Sequence, residues 1–278
     1  MAVAHPRALA SRRMRLTVLG CSGSGPGPNS PASGYLITAG DTALTLDLGN
    51  GTFGALQRHL DPWRLSAVAF SHLHPDHCAD FTALVVHRRY HPFAPFDATA
   101  HPLPVFAPAE APDRFARAYV ASAAELAETD LADSFTFHPV TDGAEAELTD
   151  GVRLRARAVD HVCEAYALRV EHAGIALVYS GDTGPCESLV DLARGADVLL
   201  CEATWPHTGV WGEAGGPPRG VHLSGREAGE HAAAAGVGRL LLTHVPSWFS
   251  GEELLAEAKG AFDGPVELVA PDARYDLG

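Results

Sequence analysis

The sequence predicts an α/β fold in which helices cover the faces of sheets. Short apolar runs of strand length alternate along the chain with longer helix-patterned stretches, the arrangement that lays helices on sheet faces. Hydrophobic residues make up 46% of the chain and charged residues 19%, a balance that fills a globular core rather than leaving the chain disordered. Histidines and aspartates also fall directly behind several strand-like runs, where loops at strand ends display functional side chains.

In order, strand-like runs occur at 15–19, 34–38, 43–47 and 65–70, then at 154–159, 165–170, 175–179, 198–201 and 240–243. Helical patterns lie between or after them at 52–59, 80–89, 111–127, 186–193, 224–235 and 251–262. Asp80 and Ser224 carry the side-chain oxygen expected of a helix N-cap.

The most informative stretch is Ser71-His72-Leu73-His74-Pro75-Asp76-His77, behind the apolar run Leu65-Ser66-Ala67-Val68-Ala69-Phe70. A loop there can splay alternate side chains toward two points: His72 and His74 to one metal, Asp76 and His77 to a second. Imidazole nitrogen and carboxylate oxygen suit zinc and similar first-row ions.

This His-x-His-x-Asp-His pattern resembles the signature of the metallo-β-lactamase fold superfamily, and the likeness extends from about Arg15 to the end of the chain. It implies a four-layer αββα sandwich: two facing mixed sheets, helices outside, metals at one edge. It also implies further ligands just beyond later strands: His161 in Val159-Asp160-His161, Asp182 in Tyr179-Ser180-Gly181-Asp182-Thr183, and His244 in Leu241-Leu242-Thr243-His244. Asp47 and Gly49 match a family motif that braces the metal loop. His72, His74 and His161 are assigned to the first metal and Asp76, His77 and His244 to the second, with Asp182 bridging. Two divalent ions, zinc or else manganese, sharing one water would lower its pKa and deliver a hydroxide at neutral pH, which Asp76 would orient.

His222, in Val221-His222-Leu223-Ser224-Gly225, stands where the ribonuclease Z-like branch places a histidine on the scissile phosphate. Cys201-Glu202-Ala203-Thr204 resembles that branch's Glu-Ala-Thr motif, in which Glu202 would support His222 for proton relay to the leaving oxygen. The other histidines (His5, His59, His87, His91, His101, His138, His172, His207, His231) are expected to be ordinary surface groups. Arg88-Arg89-Tyr90 offers a bidentate grip on phosphate and a ring for a base, or else a solvated helix end completing its dipole.

Two loops look functional. Gly20-Cys21-Ser22-Gly23-Ser24-Gly25-Pro26-Gly27-Pro28-Asn29-Ser30-Pro31 lacks the Gly-Lys-Ser/Thr ending of a nucleotide triphosphate loop, so it is expected to shape the cleft wall. The Gly- and Pro-rich stretch 206–221 is a candidate lid.

With ligands running from His72 to His244, residues 14–278 are expected to form a single catalytic domain behind a disordered extension over 1–13. That extension has Arg12-Arg13 but no apolar core of a signal peptide, and Met14 is a candidate natural start. No stretch approaches the ~20 apolar residues of a membrane span. Five cysteines (Cys21, Cys78, Cys163, Cys186, Cys201) without paired spacing are expected to be reduced, buried thiols in a cytoplasmic protein. Net charge is −14 and Lys259 is the only lysine, which disfavours a long nucleic acid; a small anion remains suitable because two divalent cations would dominate the local field.

The chain most resembles bacterial cyclic-nucleotide phosphodiesterases of this fold, through Gly20-Cys21-Ser22-Gly23, Pro31-Ala32-Ser33-Gly34-Tyr35, Arg88-Arg89-Tyr90-His91-Pro92, His222-Leu223-Ser224-Gly225 and Leu242-Thr243-His244. The implied function is hydrolysis of a small cyclic nucleotide such as 3′,5′-cyclic AMP. The alternative is a ribonuclease Z-type transfer-RNA 3′ endonuclease, which usually carries a long Gly-rich basic arm among the later strands; here 160–182 is compact. A lactonase or β-lactamase would use the same hydroxide without needing the His222/Glu202 pair. A binding protein retaining the fold would have lost ligands, and all seven are present. Resemblance further implies a homodimer, with 85–100 as a candidate interface and no membrane partner.

Overall fold

The structure, a computed structural model, describes residues 13–208 and 220–277. The extension expected over 1–13 falls, except for Arg13, outside the described residues, as does most of the candidate lid over 206–221.

The chain opens as an antiparallel meander of β1 (Met14–Gly20), β2 (Gly34–Ala39) and β3 (Thr42–Leu46). Three parallel strands extend it, β4 (Ala67–Ala69), β5 (Leu103–Ala107) and β6 (Phe135–Pro139). Parallel neighbours need crossovers, and these contain α1 (Thr52–Leu56), α2 (Pro75–Cys78), α3 (Phe81–Tyr90), α4 (Ala111–Tyr119) and α5 (Ala123–Glu128). The second sheet starts with antiparallel β7 (Glu145–Glu147), β8 (Arg153–Ala158), β9 (Tyr166–His172) and β10 (Ile175–Tyr179). It continues in parallel with β11 (Val198–Glu202), β12 (Leu240–Thr243) and β13 (Val266–Leu268), connected through α6 (Glu187–Ala193), α7 (Gly225–Ala235) and α8 (Gly251–Ala261). The last strand, β14 (Arg274–Asp276), returns to pair with β1, so the sheets read β14-β1-β2-β3-β4-β5-β6 and β13-β12-β11-β10-β9-β8-β7.

Strand periodicity builds the layers. Leu44 and Leu46 of β3 face Leu177 and Tyr179 of β10 in the core between the sheets. Ala43 and Val68 point the other way, into an apolar layer with Phe81 and Phe115 beneath the first helical layer. Val178 and Leu199 likewise meet Leu189, Ala228, Ala232 and Leu254 on the far side. Three apolar layers between four layers of secondary structure make the expected αββα sandwich. Each fully buried Leu or Phe contributes about 1.5–3 kcal/mol over its exposed state.

Some expectations need correction. Strands β5, β6, β7, β13 and β14 were not anticipated. The helix expected over 111–127 is two: Ser122 is extended and its Oγ accepts from Glu125 N at 3.1 Å, starting α5 afresh. Ser224 caps α7 as expected, in a capping box with Glu227. Asp80 does not cap its own helix; its Oδ2 accepts from Phe53 N at 2.8 Å and ties the start of α3 to α1. His172 and His231 are buried, not surface groups. All five cysteines are free thiols, but only Cys78 and Cys201 are buried and Cys163 is exposed.

Candidate metal centre

The loop behind β4 is fixed by one fully buried carboxylate. Asp47, just past β3, has a left-handed backbone (φ 60°), a conformation a non-glycine residue holds at a cost and typically near a functional site. Its Oδ1 accepts from Ser71 N at 2.8 Å. Its Oδ2 accepts from Ser71 Oγ at 2.8 Å, from Tyr179 OH at 2.8 Å and from His77 Nδ1 at 2.7 Å. Gly49 allows the close approach behind the loop: a Cβ there would lie 1.9 Å from the Asp76 carbonyl oxygen. Both residues thus brace the metal loop, as the motif implied.

The ring nitrogens on the far side of these anchors converge. His72 Nε2, His74 Nδ1 and His161 Nε2 approach one another, at 3.0 Å (His72–His74) and 3.3 Å (His161–His74), with Asp182 Oδ2 3.7 Å from His72 Nε2. His77 Nε2 lies 3.1 Å from Asp182 Oδ1 and 3.6 Å from Asp76 Oδ2. His244 Nε2 lies 3.2 Å from Asp76 Oδ2 and 3.4 Å from Asp182 Oδ1. Asp182 belongs to both clusters, delivered by the left-handed Gly181 two residues past the end of β10.

Hydrogen-bond bookkeeping tests whether metal fits. Ser71 Oγ donates to Asp47, so it accepts from His72 Nδ1 and leaves His72 Nε2 a lone pair. His161 Nδ1 donates to the Val221 carbonyl at 2.7 Å, with the same result at Nε2. Only His74 among the three can carry a proton at the facing nitrogen, so at least two lone pairs point at each other. In the other cluster, Thr204 Oγ1 donates to Glu202 Oε2 at 2.6 Å and accepts from His244 Nδ1 at 2.8 Å. That sets a His244 lone pair against two carboxylates. His77 Nε2 and Asp182 Oδ1 are buried without a hydrogen-bond partner. Converging lone pairs and orphaned buried acceptors are repulsive unless a cation sits among them, and fixing each ligand ring through its other nitrogen is how metal sites are oriented.

The electrostatics agree. Burial, then the neighbouring imidazoles, hold His72 well below the usual histidine range, in the neutral form a ligand needs. Burial would lower His77 too, but the Asp182 and Asp47 carboxylates outweigh it and drive it well up. The carboxylates that favour a proton on His77 equally favour a divalent cation beside it. Burial opposes ionisation of Asp182 and Asp76, yet the surrounding histidines keep both below the ordinary carboxylate range.

Next to the clusters stands a second pair. Glu202, fully buried at the end of β11, accepts from Thr183 N at 2.6 Å, Leu223 N at 3.2 Å and His222 Nδ1 at 3.2 Å, besides Thr204. His222 therefore turns Nε2 away from Glu202, its ring 5.5 Å from that of His161 and 5.4 Å from that of His244. Burial disfavours its charged form, but Glu202 and Asp182 reverse this and push His222 up to about 9. The glycine-rich loop forms a wall here: a Cβ on Gly23 would meet the His244 carbonyl at 2.3 Å, and Ser24 N donates to His244 Nε2 at 3.5 Å.

All seven ligand candidates, with His222 and Glu202, are thus brought together. Arg88 and Arg89 are not available for phosphate. Arg88 is buried, donating to the Ser134 and His101 carbonyls with its guanidinium 5.3 Å from the Trp63 ring centre; Arg89 pairs with Asp133. Ser71, Tyr179 and Thr204 were missed as supports. The signal available was a hydroxyl one to three residues from a ligand or from Glu202, within motifs already singled out.

Comparison with known proteins extends the picture. Residues 42–245 match the beta-lactamase superfamily domain. The uncharacterized protein ML1173 of Mycobacterium leprae is 48% identical, the match covering 95% of this chain and 89% of that protein. Ribonuclease Z of Mycobacterium marinum is 33% identical over 92% of this chain and 95% of its own length. The crystal structure of the metallo-beta-lactamase fold protein YhfI from Bacillus subtilis superposes with a TM-score of 0.79 at 25% identity, covering 95% of this chain and 99% of YhfI.

Proposed function

The chain belongs to the metallo-β-lactamase superfamily, on its ribonuclease Z-like branch, as a metallo-hydrolase, and we propose that it hydrolyses small cyclic nucleotides such as 3′,5′-cyclic AMP. His72, His74, His161 and Asp182 would hold one divalent ion, and Asp76, His77, Asp182 and His244 the other. Zinc suits this nitrogen and oxygen donor set, with manganese the alternative. Bound there, two ions would activate water at neutral pH and neutralise phosphoryl oxygens. Asp76 accepts a hydrogen bond from the attacking water and holds it in line with the phosphorus.

The observation that carries the reading is the Glu202–His222 pair. A sugar hydroxyl is a poor leaving group and needs a proton as its P–O bond breaks. His222, with Nδ1 donating to Glu202, gives that proton from Nε2 to the departing oxygen and ends as neutral imidazole.

One observation favours transfer-RNA processing: the 33% identity to a ribonuclease Z. Against it stand the net charge of −14 and the join between β9 and β10, where Ala173 and Gly174 form a two-residue turn, both at positive φ, with no arm. The five free thiols fit a reducing cytoplasm, and among the described residues no helix is long and apolar enough to cross a membrane. Exposed Val86, Tyr90 and Phe93, within or beside 85–100, offer apolar surface for a second copy of the chain, which sedimentation would reveal as a dimer.

The deciding experiment is a hydrolysis screen of the metal-loaded protein on 3′,5′-cyclic AMP, cyclic GMP, a precursor transfer RNA, a β-lactam and a lactone. Cleavage of a cyclic mononucleotide with little salt dependence is expected. Preferred cleavage of precursor transfer RNA, falling steeply with salt, would replace this reading by the endonuclease.

A further inference from the structure

Among the described residues, the exposed large hydrophobics fall in two places. Val86, Tyr90 and Phe93 cluster in and just after α3. Val162 and Trp248, each 65% exposed, follow metal-centre residues in the chain. Val162 is next to His161 in the chain. Trp248 is four residues after His244, so their Cα atoms lie within about 14 Å. The ring of His244 in turn lies 5.4 Å from that of His222.

The loop carrying Trp248 is fixed although its indole is exposed. Val245 N donates to the Cys21 carbonyl at 3.2 Å, and Phe249 N closes a turn on the Pro246 carbonyl at 3.0 Å. A Cβ on Gly27 would sit 3.0 Å from Ser247 Cβ, so this loop lies against the same glycine-rich wall that touches His244. Beyond it, Ser250 Oγ caps α8 by accepting from Glu253 N. Apart from an edge contact with Phe249, ring centres 6.3 Å apart, most of this large aromatic side chain is left to water on a braced loop close to a polar site. It is a ready surface for a planar, π-rich ligand.

From this placement we propose that Trp248 is the stacking platform for the nucleobase of the substrate. The inference rests on the cyclic-nucleotide reading and deepens it. Stacking accepts any base and favours the larger purine faces, so it gives purine preference without a hydrogen-bonded readout of the base edge. Trp248 acts as a positioning residue: it holds the base and leaves the bond-breaking groups untouched.

The test uses the metal-loaded full chain with Trp248→Ala and Trp248→Phe. For 3′,5′-cyclic AMP, Trp248→Ala should raise KM about tenfold with kcat within about twofold, and Trp248→Phe should recover most of the loss. Tryptophan fluorescence should be quenched by cyclic AMP but not by ribose 5-phosphate, and Trp248→Phe should remove that quenching. Unchanged KM in Trp248→Ala, with wild-type hydrolysis intact, overturns the platform alone. A fall in kcat that Trp248→Phe does not rescue also overturns it, as a structural role would behave. A wild-type enzyme that cleaves no cyclic mononucleotide overturns the substrate reading and takes the platform with it.

Discussion

The two halves of the metal centre are built to different standards of rigidity. In the half made by Asp76, His77 and His244, every residue is buried, and the supports are a carboxylate (Asp47) and a hydroxyl (Thr204) locked onto another carboxylate (Glu202). In the half made by His72, His74 and His161, only His72 is buried; His161 is steadied by the Val221 carbonyl, at the end of the candidate lid. A site with one closed and one open side would hold an ion more firmly on the closed side and leave the open side to a substrate.

The severest way to break this contrast is to remove the support of the closed half. Asp47→Ala strands Ser71 N, Tyr179 OH and His77 Nδ1 in the core, and should cost about 3–5 kcal/mol of stability and abolish activity. Denaturant unfolding and elemental analysis should show lower stability and loss of both ions. Near-wild-type metal content in Asp47→Ala would mean the closed half does not depend on its brace.

His222→Ala removes none of the seven assigned ligands and should cut turnover of cyclic AMP by about a hundredfold or more, with metal content unchanged. A bis-aryl phosphodiester, whose phenolate leaves without a proton, should lose less. Equal losses on both substrates would assign His222 to charge stabilisation, and a lost ion would make it a ligand.

A chelator should then resolve the halves in time, one ion leaving at least about tenfold faster than the other. His161→Ala should retain the slow ion and His244→Ala the fast one. Loss of both ions in a single phase would mean that Asp182 couples the two halves into one unit.

The smallest effect is on pH dependence. His222 is raised from its ordinary value of 6.5 to about 9 in the folded protein, so its pairing contributes stability in full below about 6.5. That contribution is lost as pH rises through about 9. In thermal melts of metal-stripped protein, wild type should exceed His222→Gln at pH 6 by a margin that closes above pH 9. A pH-independent margin would place the effect in packing instead.

The closed half was largely legible in the sequence, and its supports only partly. Three histidines and an aspartate within six residues make a ligand pattern that a solvated turn rarely has; Asp182 and His244 follow the buried apolar strands β10 and β12, and His161 the alternating strand β8. Thr204 and Tyr179 stand within the same motifs, but a hydroxyl carries no spacing rule, so its role appears only when distant strands meet. Arg88 shows the reverse failure. Two adjacent arginines at a helix end suggest an anion, whereas burial against Trp63 and two carbonyls is a tertiary fact. In the fold, the strong runs were read and the weak ones missed. Strands β7, β13 and β14 have three residues each, too few to show a period, and β5 has a proline inside it. The break between α4 and α5 was hidden because 111–127 keeps an Ala-rich helical composition across Val120 and Ser122.

Asp47 ties the first sheet's His77 and Ser71 to Tyr179, a residue 132 positions later on the second sheet. His244 and Asp76, which face each other across the closed half, are 168 positions apart. The cage of Asp76, His77, Asp182 and His244 is incomplete in any fragment that stops before His244. A growing polypeptide that has not yet released His244 therefore lacks one of the two ligand sets, and capture of an ion there would wait until the two sheets have docked. Filling of that second set would mark the finished sandwich, so that hydrolytic competence and completed folding would arrive in the same event.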